Sequence, residues 1–248
     1  MQIMLTGLKT MEEKKISEIS RDDFLRYKEA FISAAIRCQK AGFDGIELHC
    51  AHGMYLDEVL ETSTRSDEYG GCFENRIRLL EELIIEIRKN CGENFIIAVR
   101  FGNSDYEELI NTAITIEKAG ADIIDVSSGI ARYSNIPNNF LYDSKIYAAS
   151  LVKNHVDIPV ICVGNIFTGN IGKSIIDNEY TDMIAVGRGH LSDPAWANKT
   201  LAGVPVNQCL QCKNCLWWID GNLCAARRKE KQKNVRNRNK SPGFYLTR

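Results

Sequence analysis

Short apolar runs alternate with longer amphipathic segments along most of this chain, and this alternation constrains the fold more than any other feature. Each apolar run is nearly continuous, which is typical of strands that are covered on both faces. The segments between them have apolar residues at helical spacing, often with a polar start and a glycine stop. We predict strands at 43–49, 95–101, 121–129, 158–164 and 182–189, and helices at 21–42, 74–92, 104–120, 144–155, 169–179 and 194–203.

Repeated strand–helix units imply an α/β fold with a parallel sheet, either doubly wound or closed as a (β/α)8 TIM barrel. The sequence has no G-x-G-x-x-G after a strand and no G-x-x-x-x-G-K-[ST], so it lacks the signatures of Rossmann and P-loop nucleotide binding. Its distinctive polar and glycine residues follow the strands, where barrel enzymes carry their catalytic groups. They are His49, His52, Arg100, Ser127, Ser128, Gly164, Asn165, Gly187 and Arg188.

The composition, 44% hydrophobic and 25% charged over 248 residues, is that of a globular protein with one sizeable core. No apolar run reaches about 18 residues and the N-terminus lacks a signal-peptide pattern, so we expect a cytoplasmic protein without membrane contact. The nine cysteines then favour metal or redox chemistry where they cluster. The end of the chain, 227–248, is strongly basic; we expect a solvated, partly disordered tail and no nucleic-acid partner.

Two histidines lie at the end of the first predicted strand, with His52 three residues after His49. Such a pair can bind a metal, bind an anion or pack in the core. Zinc would need a further ligand, and Glu47 lies on the same strand face as His49. A core role is common for a single histidine but less so for a pair at a strand end. The residues alone leave these alternatives open.

Several longer stretches resemble the flavin-dependent old yellow enzyme family of NADH:flavin oxidoreductases. They are GFDGIELHCAHGMYLDEVL, RSDEYGGCFENRIRLLEELIIEIR, AVRFG, IPVICVGNI and DMIAVGRGHLSDPAWANK. The block from Asp67 to Arg76 is the most specific of them. The added CLQCKNC…C resembles the iron–sulfur branch of the family, which includes 2,4-dienoyl-CoA reductases, 2-enoate reductases and trimethylamine dehydrogenase. The resemblance extends from about Ser20 to Cys224.

The resemblance implies an FMN-binding (β/α)8 barrel that passes a hydride from the flavin to an electron-poor C=C bond. His49 and His52 match the pair that donates hydrogen bonds to the carbonyl or carboxyl oxygen of the substrate. Reduction at the β-carbon moves negative charge onto that oxygen, and two preorganised N–H donors stabilise the resulting enolate. We therefore expect the histidine pair to be an anion clamp rather than a metal site.

The same resemblance assigns the cofactor contacts. Arg100 matches the arginine near the N1–C2 edge of the flavin, where a fixed positive charge favours the anionic reduced form. In the family, the FMN phosphate binds after the last two strands, where small residues let backbone N–H groups approach it and an arginine neutralises its charge. The residues of this phosphate site are matched by Gly164, Asn165, Gly187 and Arg188.

Four cysteines cluster near the end of the chain in a C-x2-C-x2-C-x8-C pattern, at Cys209, Cys212, Cys215 and Cys224. Three thiolates at such close spacing with a fourth further along suit a [4Fe–4S] cluster. Tetrathiolate zinc is the alternative, although two separate C-x2-C pairs would favour it more. We predict the iron–sulfur cluster.

Three local features depart from the family pattern. The tyrosine that follows His-Gly as a proton donor is replaced by Met54, and Tyr55 comes next, which makes Tyr55 the candidate donor. The segment ETSTRSDEYGG is shorter than its family counterpart. The gap between Cys215 and Cys224 is also shorter.

The number of strands is the largest departure. Five strands are predicted, residues 1–20 leave room for at most one short strand more, and a closed barrel needs eight. We therefore expect an incomplete, N-terminally truncated barrel. It would be a truncated gene product, a fragment, or one half of a split enzyme to which a further chain supplies the missing strands. We divide the chain into a partial FMN-binding barrel at 1–203, an iron–sulfur cysteine loop at 204–226 and a basic tail at 227–248.

The expected function is that of an FMN-dependent oxidoreductase that reduces an activated C=C bond in a small unsaturated carbonyl compound. Its electrons would come from NAD(P)H or another donor, with the [4Fe–4S] cluster as a relay. The alternative is a non-catalytic barrel fragment, or a subunit of a split enzyme, whose cysteine loop binds zinc or relays electrons.

Overall fold

The computed structural model describes residues 1–4, 15–61, 64–103, 105–128, 133 and 135–238, with side chains as far as 232. These residues form one six-stranded sheet in which the strands follow each other in chain order, and the paired strands from the first to the fifth are parallel. The strands are β1 Gln2–Ile3, β2 Gly45–Cys50, β3 Ile96–Phe101, β4 Ile123–Val126, β5 Val160–Val163 and β6 Met183–Ala185. The five predicted strands are confirmed, and β1 is the short additional one.

Helices lie between the strands and after the last strand along the chain. They are α1 Arg21–Lys40, α2 Tyr55–Glu61, α3 Phe73–Cys91, α4 Tyr106–Ala119, α5 Ser144–Lys153, α6 Gly169–Asp177, α7 Arg188–Ser192, α8 Trp196–Leu201 and α9 Ala225–Arg238. The sequence did not predict α2, α7 or α9. The last of these runs into the tail that was expected to be disordered, and the tail after 238 lies outside the described residues. None of the helices in the described part of the chain has the length and apolar character needed to cross a membrane.

The chain divides into two compact units. The first contains Met1–Gly164 and Ile176–Ile184, and the second contains Asn165–Ile175 and Ala185–Arg248. Each is described by itself below. The predicted boundaries at 203 and 226 stay predictions.

Helix α1 shows why the sequence folds as it does in the first unit. The hydroxyl of Ser20 accepts a hydrogen bond from the backbone N–H of Asp23, which satisfies a donor that the helix start leaves open. Phe24, Phe31 and Ala35 then recur at helical spacing and are buried. The helix begins at its cap and packs its apolar face on the core.

The most specific sequence block is held by a buried arginine. The Nη1 atom of Arg65 donates to the carbonyls of Ile16 and Ile19 at 2.7 and 2.9 Å, and the guanidinium also pairs with Asp67. Gly70 has no room for a side chain, because a Cβ atom there would lie 2.4 Å from the carbonyl oxygen of Arg65. The block therefore fastens the segment before α1 to the turn before α3, which is a structural role.

Candidate active site

The pairing of β2, β3 and β4 places three ionisable side chains in one row near the carboxyl ends of the strands. His49 is paired with Arg100, and Arg100 is paired with Asp125. Directly paired residues project from the same face of a sheet, so their side chains are neighbours. His49 and Asp125 are each only 5% exposed. The strand register thus joins two predicted site residues and adds a carboxylate to which the sequence analysis gave no role.

The two histidines lie close together because the chain turns sharply after β2. His52 and Gly53 both have positive φ angles, 63° and 70°, and the ring centroids of His49 and His52 are 5.0 Å apart. Burial, with a smaller contribution from the positive charge of Arg100, lowers the pKa of His49. The neutral imidazole is therefore the favoured form at neutral pH, and it carries one N–H that can be donated to a ligand.

A serine hydroxyl links the second histidine to the arginine. Nε2 of His52 lies 3.0 Å from Oγ of Ser127, and Nη2 of Arg100 donates to the same oxygen at 3.1 Å. A close approach of the backbones supports this arrangement, since a Cβ atom on Gly102 would lie 2.5 Å from the carbonyl oxygen of Ser127. Ser127 is one of the polar residues that follow the predicted strands, and its sequence context predicts no role for it.

Asp125 is the residue that the sequence analysis missed. Its Oδ2 lies 3.3 Å from Nε of Arg100, and its side chain is 7% exposed. Burial raises the pKa of Asp125 to about 6; the charge of Arg100 opposes this shift, whereas that of Glu47 adds to it. The available signal was an acidic residue within the apolar strand ADIIDVSSG, since a buried carboxylate is rare without a partner.

The residues around His49 and His52 indicate whether this histidine pair could bind a metal ion. The side chain paired with His49 is a cation, Arg100, rather than a third ligand. Glu47, the possible ligand, accepts a hydrogen bond from Nε2 of Gln2. Over the described ranges, the structure brings together no group of three or more His, Cys, Asp or Glu side chains that could hold a metal ion. A cation beside two imidazoles favours an anionic ligand.

Tyr55, the predicted proton donor, lies in the hydrophobic core of the first unit. Its side chain is 1% exposed, and its ring packs against those of Tyr27, Phe24 and Phe31 at centroid distances of 5.5, 6.0 and 6.3 Å. Burial strongly raises the pKa of its hydroxyl. This position favours a core role for Tyr55 and disfavours proton donation to a substrate.

In the second unit, two of the predicted phosphate residues are in contact. Nη2 of Arg188 donates to Oδ1 of Asn165 at 2.5 Å, and the guanidinium carbon lies 5.1 Å from the ring centroid of Phe167. Asn165 has a positive φ of 49°, which asparagine tolerates better than most residues. A Cβ atom on Gly187 would meet no atom within 4 Å. Arg188 and Asn165 are exposed, so their polar groups are accessible to an anion.

Gly164, at the end of β5 in the first unit, has a different explanation. Its φ is +147°, and a Cβ atom there would lie 2.7 Å from the side chain of Asp143. Asp143 caps α5 through the backbone N–H of Lys145. The packing of Asp143 is thus sufficient to require glycine at this position, whether or not a phosphate binds beside it.

The four clustered cysteines lie in a partly irregular, solvent-accessible segment. Cys212 and Cys215 are exposed and Cys209 and Cys224 are half-buried, all as free thiols. Two single-turn 3-10 helices, Leu216–Trp218 and Gly221–Leu223, occupy the interval before the last cysteine. The four thiols are not among any metal-holding group in the described part of the chain. Their type and number suit a [4Fe–4S] cluster, but their described arrangement does not fit a bound one.

Buried polar atoms at the strand ends indicate whether the first unit could hold a polar cofactor such as FMN. Buried polar atoms are normally hydrogen-bonded. At the ends of β2, β3 and β4, five buried polar side-chain groups have no hydrogen-bond partner among the described residues: Nδ1 of His49, Nε of Arg100, the amide of Asn103, Oδ1 of Asp125 and Oγ of Ser128. Such unmet hydrogen-bonding capacity fits a polar ligand at this edge of the sheet.

Comparison with known proteins places the fold in a family. The model of the NADH:flavin oxidoreductase / NADH oxidase family matches residues 3–207. An NADH oxidase of Thermoanaerobacter brockii is 35% identical over 211 residues, which cover 79% of this chain and 32% of that protein. A cinnamate reductase of Clostridium sporogenes is 32% identical over 227 residues, which cover 79% of this chain and 34% of that protein.

The solved structures agree with the sequence comparison. The old yellow enzyme homologue of Zymomonas mobilis is 22% identical and superposes with a TM-score of 0.64, over 78% of this chain and 56% of that one. This likeness confirms a fold of the TIM-barrel type. The chain spans between about a third and just over half of the length of these three proteins. It belongs to the NADH:flavin oxidoreductase / NADH oxidase family, whose members are flavin-dependent oxidoreductases that use FMN.

Proposed function

We propose that this chain carries the site of an FMN-dependent oxidoreductase that reduces the C=C bond of an enone, enoate or enoyl thioester. The observation that carries the proposal is the group of two histidines and an arginine at the strand ends, buried His49 with half-buried His52 and Arg100. The similarity to a cinnamate reductase favours a conjugated carboxylic acid as the substrate class. Bound FMN supplies the hydride, and NAD(P)H is the proposed electron donor.

The histidines act on the substrate oxygen in this proposal. Addition of a hydride at the β-carbon moves negative charge onto the carbonyl or carboxyl oxygen. N–H groups already oriented in a buried site stabilise that charge without reorganisation. The lowered pKa of His49 supports the role, because a neutral imidazole donates a hydrogen bond without committing a proton.

Arg100 supplies the fixed positive charge. Nη2 of its guanidinium donates to Ser127, and its Nε is ion-paired with Asp125 at 3.3 Å without a hydrogen bond. These contacts orient the guanidinium. We assign it to the N1–C2 edge of the flavin, where a positive charge favours the anionic reduced form. Burial, and to a smaller extent the same charge, lowers the pKa of His49 and so keeps that donor neutral.

Asn165, Gly187 and Arg188 are the proposed phosphate residues of the second unit. The contact between Arg188 and Asn165 orients the guanidinium, and the space beside Gly187 admits an anion. Guanidinium groups bind phosphate oxygens in a bidentate manner. Gly164 remains a proposed contact, although the packing of Asp143 already explains a glycine there.

The [4Fe–4S] cluster remains a proposal about the cysteine segment. Four thiolates at C-x2-C-x2-C-x8-C are the ligand set of such a cluster. Because the described thiols do not form a metal-holding group, cluster binding requires the segment to rearrange, as metal binding commonly does.

The open edges of the sheet support a proposal about completeness. The sheet has six strands in linear order, so β1 and β6 each have a neighbour on one side only among the described residues. A closed barrel of this type has eight strands and no free edge. We propose that the missing strands come from further polypeptide, in the same or another chain, and that FMN binds weakly without them.

The test is a titration of FMN with the chain, in which the quenching of flavin fluorescence measures binding. Weak binding by the chain alone, with stoichiometric binding and reduction of cinnamate by NAD(P)H once the missing strands are supplied, is the expected result. Arg188→Ala should weaken FMN binding further, whereas Arg228→Ala, outside the proposed site, should not. Equal affinities of these two variants would refute the phosphate assignment. Absence of flavin binding by the completed barrel would refute the function.

A further inference from the structure

The side chains behind the histidine pair form a continuous chain of contacts in the first unit. It begins at Oδ2 of Asp125, 3.3 Å from Nε of Arg100. It continues from Nη2 of Arg100 to Oγ of Ser127 at 3.1 Å and ends at Nε2 of His52, 3.0 Å from the same oxygen. Arg100 uses Nε for one link and Nη2 for the other, and Oγ of Ser127 takes part in both of its links.

We infer that Asp125, acting through Arg100 and Ser127, is the positioning residue that sets the tautomer of His52, with the ring proton held on Nδ1. The meaning of this inference for catalysis rests on the proposed function. The network of contacts itself does not.

The direction of the bond to His52 is the inferred step. Arginine has donors only, so the Arg100–Ser127 contact uses one of the two lone pairs of Oγ. In this inference the hydroxyl proton of Ser127, rather than its second lone pair, is directed at Nε2 of His52, because the hydrogen bond that Oγ accepts from Arg100 polarises the hydroxyl and strengthens its donation. A ring nitrogen that accepts a hydrogen bond carries no proton, so the proton of the neutral imidazole lies on Nδ1.

Asp125 matters because its charge faces the guanidinium of Arg100. The side chain of Arg100 is 25% exposed, and the ion pair of its Nε with the buried carboxylate, at 3.3 Å and without a hydrogen bond, restrains the plane of the guanidinium by charge attraction. That plane determines whether Nη2 reaches Ser127. Register supports the link, since Asp125 is the residue paired with Arg100 across β3 and β4.

The experiment measures the tautomer of each histidine by nitrogen NMR at about pH 8, above the pKa of about 6 of Asp125. The chain has only four histidines, and His155 and His190 serve as internal controls. Asp125→Asn should move the tautomer ratio of His52 toward Nε2–H by roughly 2- to 10-fold, the effect of losing about one hydrogen bond. His155 and His190 should not change.

Two further variants make the inference specific. Ser127→Ala should produce the same shift at His52, and the double variant Asp125→Asn/Ser127→Ala should produce no more than Ser127→Ala alone, because Asp125 acts through Ser127. An ion pair that merely joins β3 and β4 would leave His52 unchanged in Asp125→Asn. Unchanged His52 in that variant, or additive effects in the double variant, would overturn the inference.

A second route covers the case in which Asp125→Asn does not fold. Arg100→Lys keeps the charge but cannot hold Asp125 and Ser127 at once through separate nitrogens. It must then shift the His52 ratio as Ser127→Ala does, and an unchanged ratio would overturn the inference. None of these measurements needs flavin, so a failure of FMN binding would count against the proposed function alone.

Discussion

The strand-end residues of the first unit are predicted to bind substrate and flavin, and the cysteine segment of the second unit is predicted to bind an iron–sulfur cluster. The two sites differ in how far the protein itself orders their side chains. His49, Arg100 and Asp125 are held by strand register and burial. Cys212 and Cys215 lie exposed, and their thiols belong to no metal-holding group of the described residues. Backbone pairing preorganises the first group without a ligand. The cysteines are close in sequence, but the protein does not hold their thiols together. Binding of the cluster must therefore bring the thiols into place.

The largest expected effect tests the preorganised group. Replacing both His49 and His52 with alanine in the complete, flavin-bound assembly should reduce turnover by roughly 10²–10³-fold per donor, because the enolate loses its hydrogen bonds. Phenolic ligands that mimic the enolate should stop binding. The measurement is steady-state reduction of cinnamate with NAD(P)H, with His155→Ala as the matched control. Turnover and phenol binding equal to those of the control would contradict the clamp.

The next test addresses the cysteine segment. Anaerobic preparation should yield about four irons per chain, as one [4Fe–4S] cluster requires. Cys212→Ser should lose most of this iron, because serine is a harder and poorer ligand. Cys162→Ser, at a buried position in β5, should keep it. Iron and zinc are measured by elemental analysis, and stoichiometric zinc in place of iron would show that the site is a tetrathiolate zinc site.

A smaller effect concerns the stability of the first unit. Burial raises the pKa of Asp125 to about 6, above the value of about 3.9 for an unfolded aspartate. Below about pH 4 both states are protonated and the buried charge costs nothing. As the pH rises through about 6, the folded state must hold a buried carboxylate, and stability is lost, by about 3 kcal/mol at most.

Asp125→Asn should therefore be more stable than the wild type at pH 8 and equal to it near pH 4. Urea unfolding of both proteins at the two pH values measures this difference. The same pH dependence in wild type and variant would show that Asp125 titrates normally in the folded chain.

The smallest expected effect on stability is at Gly187. A Cβ atom there would meet nothing within 4 Å, and its φ of −86° suits any residue, so Gly187→Ala should change the free energy of unfolding by less than about 0.5 kcal/mol. Gly45→Ala is the contrasting control, because its Cβ atom would lie 2.4 Å from the carbonyl oxygen of Ile96. If Gly187 admits the phosphate, its variant should bind FMN more weakly despite normal stability. Unchanged FMN affinity would remove Gly187 from the phosphate site.

The helices that could be predicted from the sequence are those long enough to show several turns of apolar periodicity. Helices α1, α3 and α4 have several turns of apolar periodicity, and α4 ends at Gly120 with a φ of 105°, as its glycine stop predicts. Helices α2 and α7 have seven and five residues, too few for a period to be seen. The basic composition of α9 concealed a helix, because charged residues suit a solvated helix as well as a coil.

The site was predictable in its residues but less so in its connections. His49, His52 and Arg100 were identified, and the structure brings them together. Tyr55 was selected for its position one residue after the expected donor, and packing against Phe24, Tyr27 and Phe31 decides its place instead. Local sequence does not reveal which aromatic rings from α1 a side chain will meet.

The sequence by itself determined the parallel α/β fold of this protein, because periodicity and apolar runs are local properties that each segment carries alone. It also determined which residues follow the strands and that four thiols lie within reach along the chain. Only the tertiary structure decided that Asp125 faces Arg100, that Ser127 joins Arg100 to His52 and that Tyr55 is buried. The physical reason is that register and packing relate residues far apart in the sequence, and a shift of one residue would turn each side chain to the opposite face.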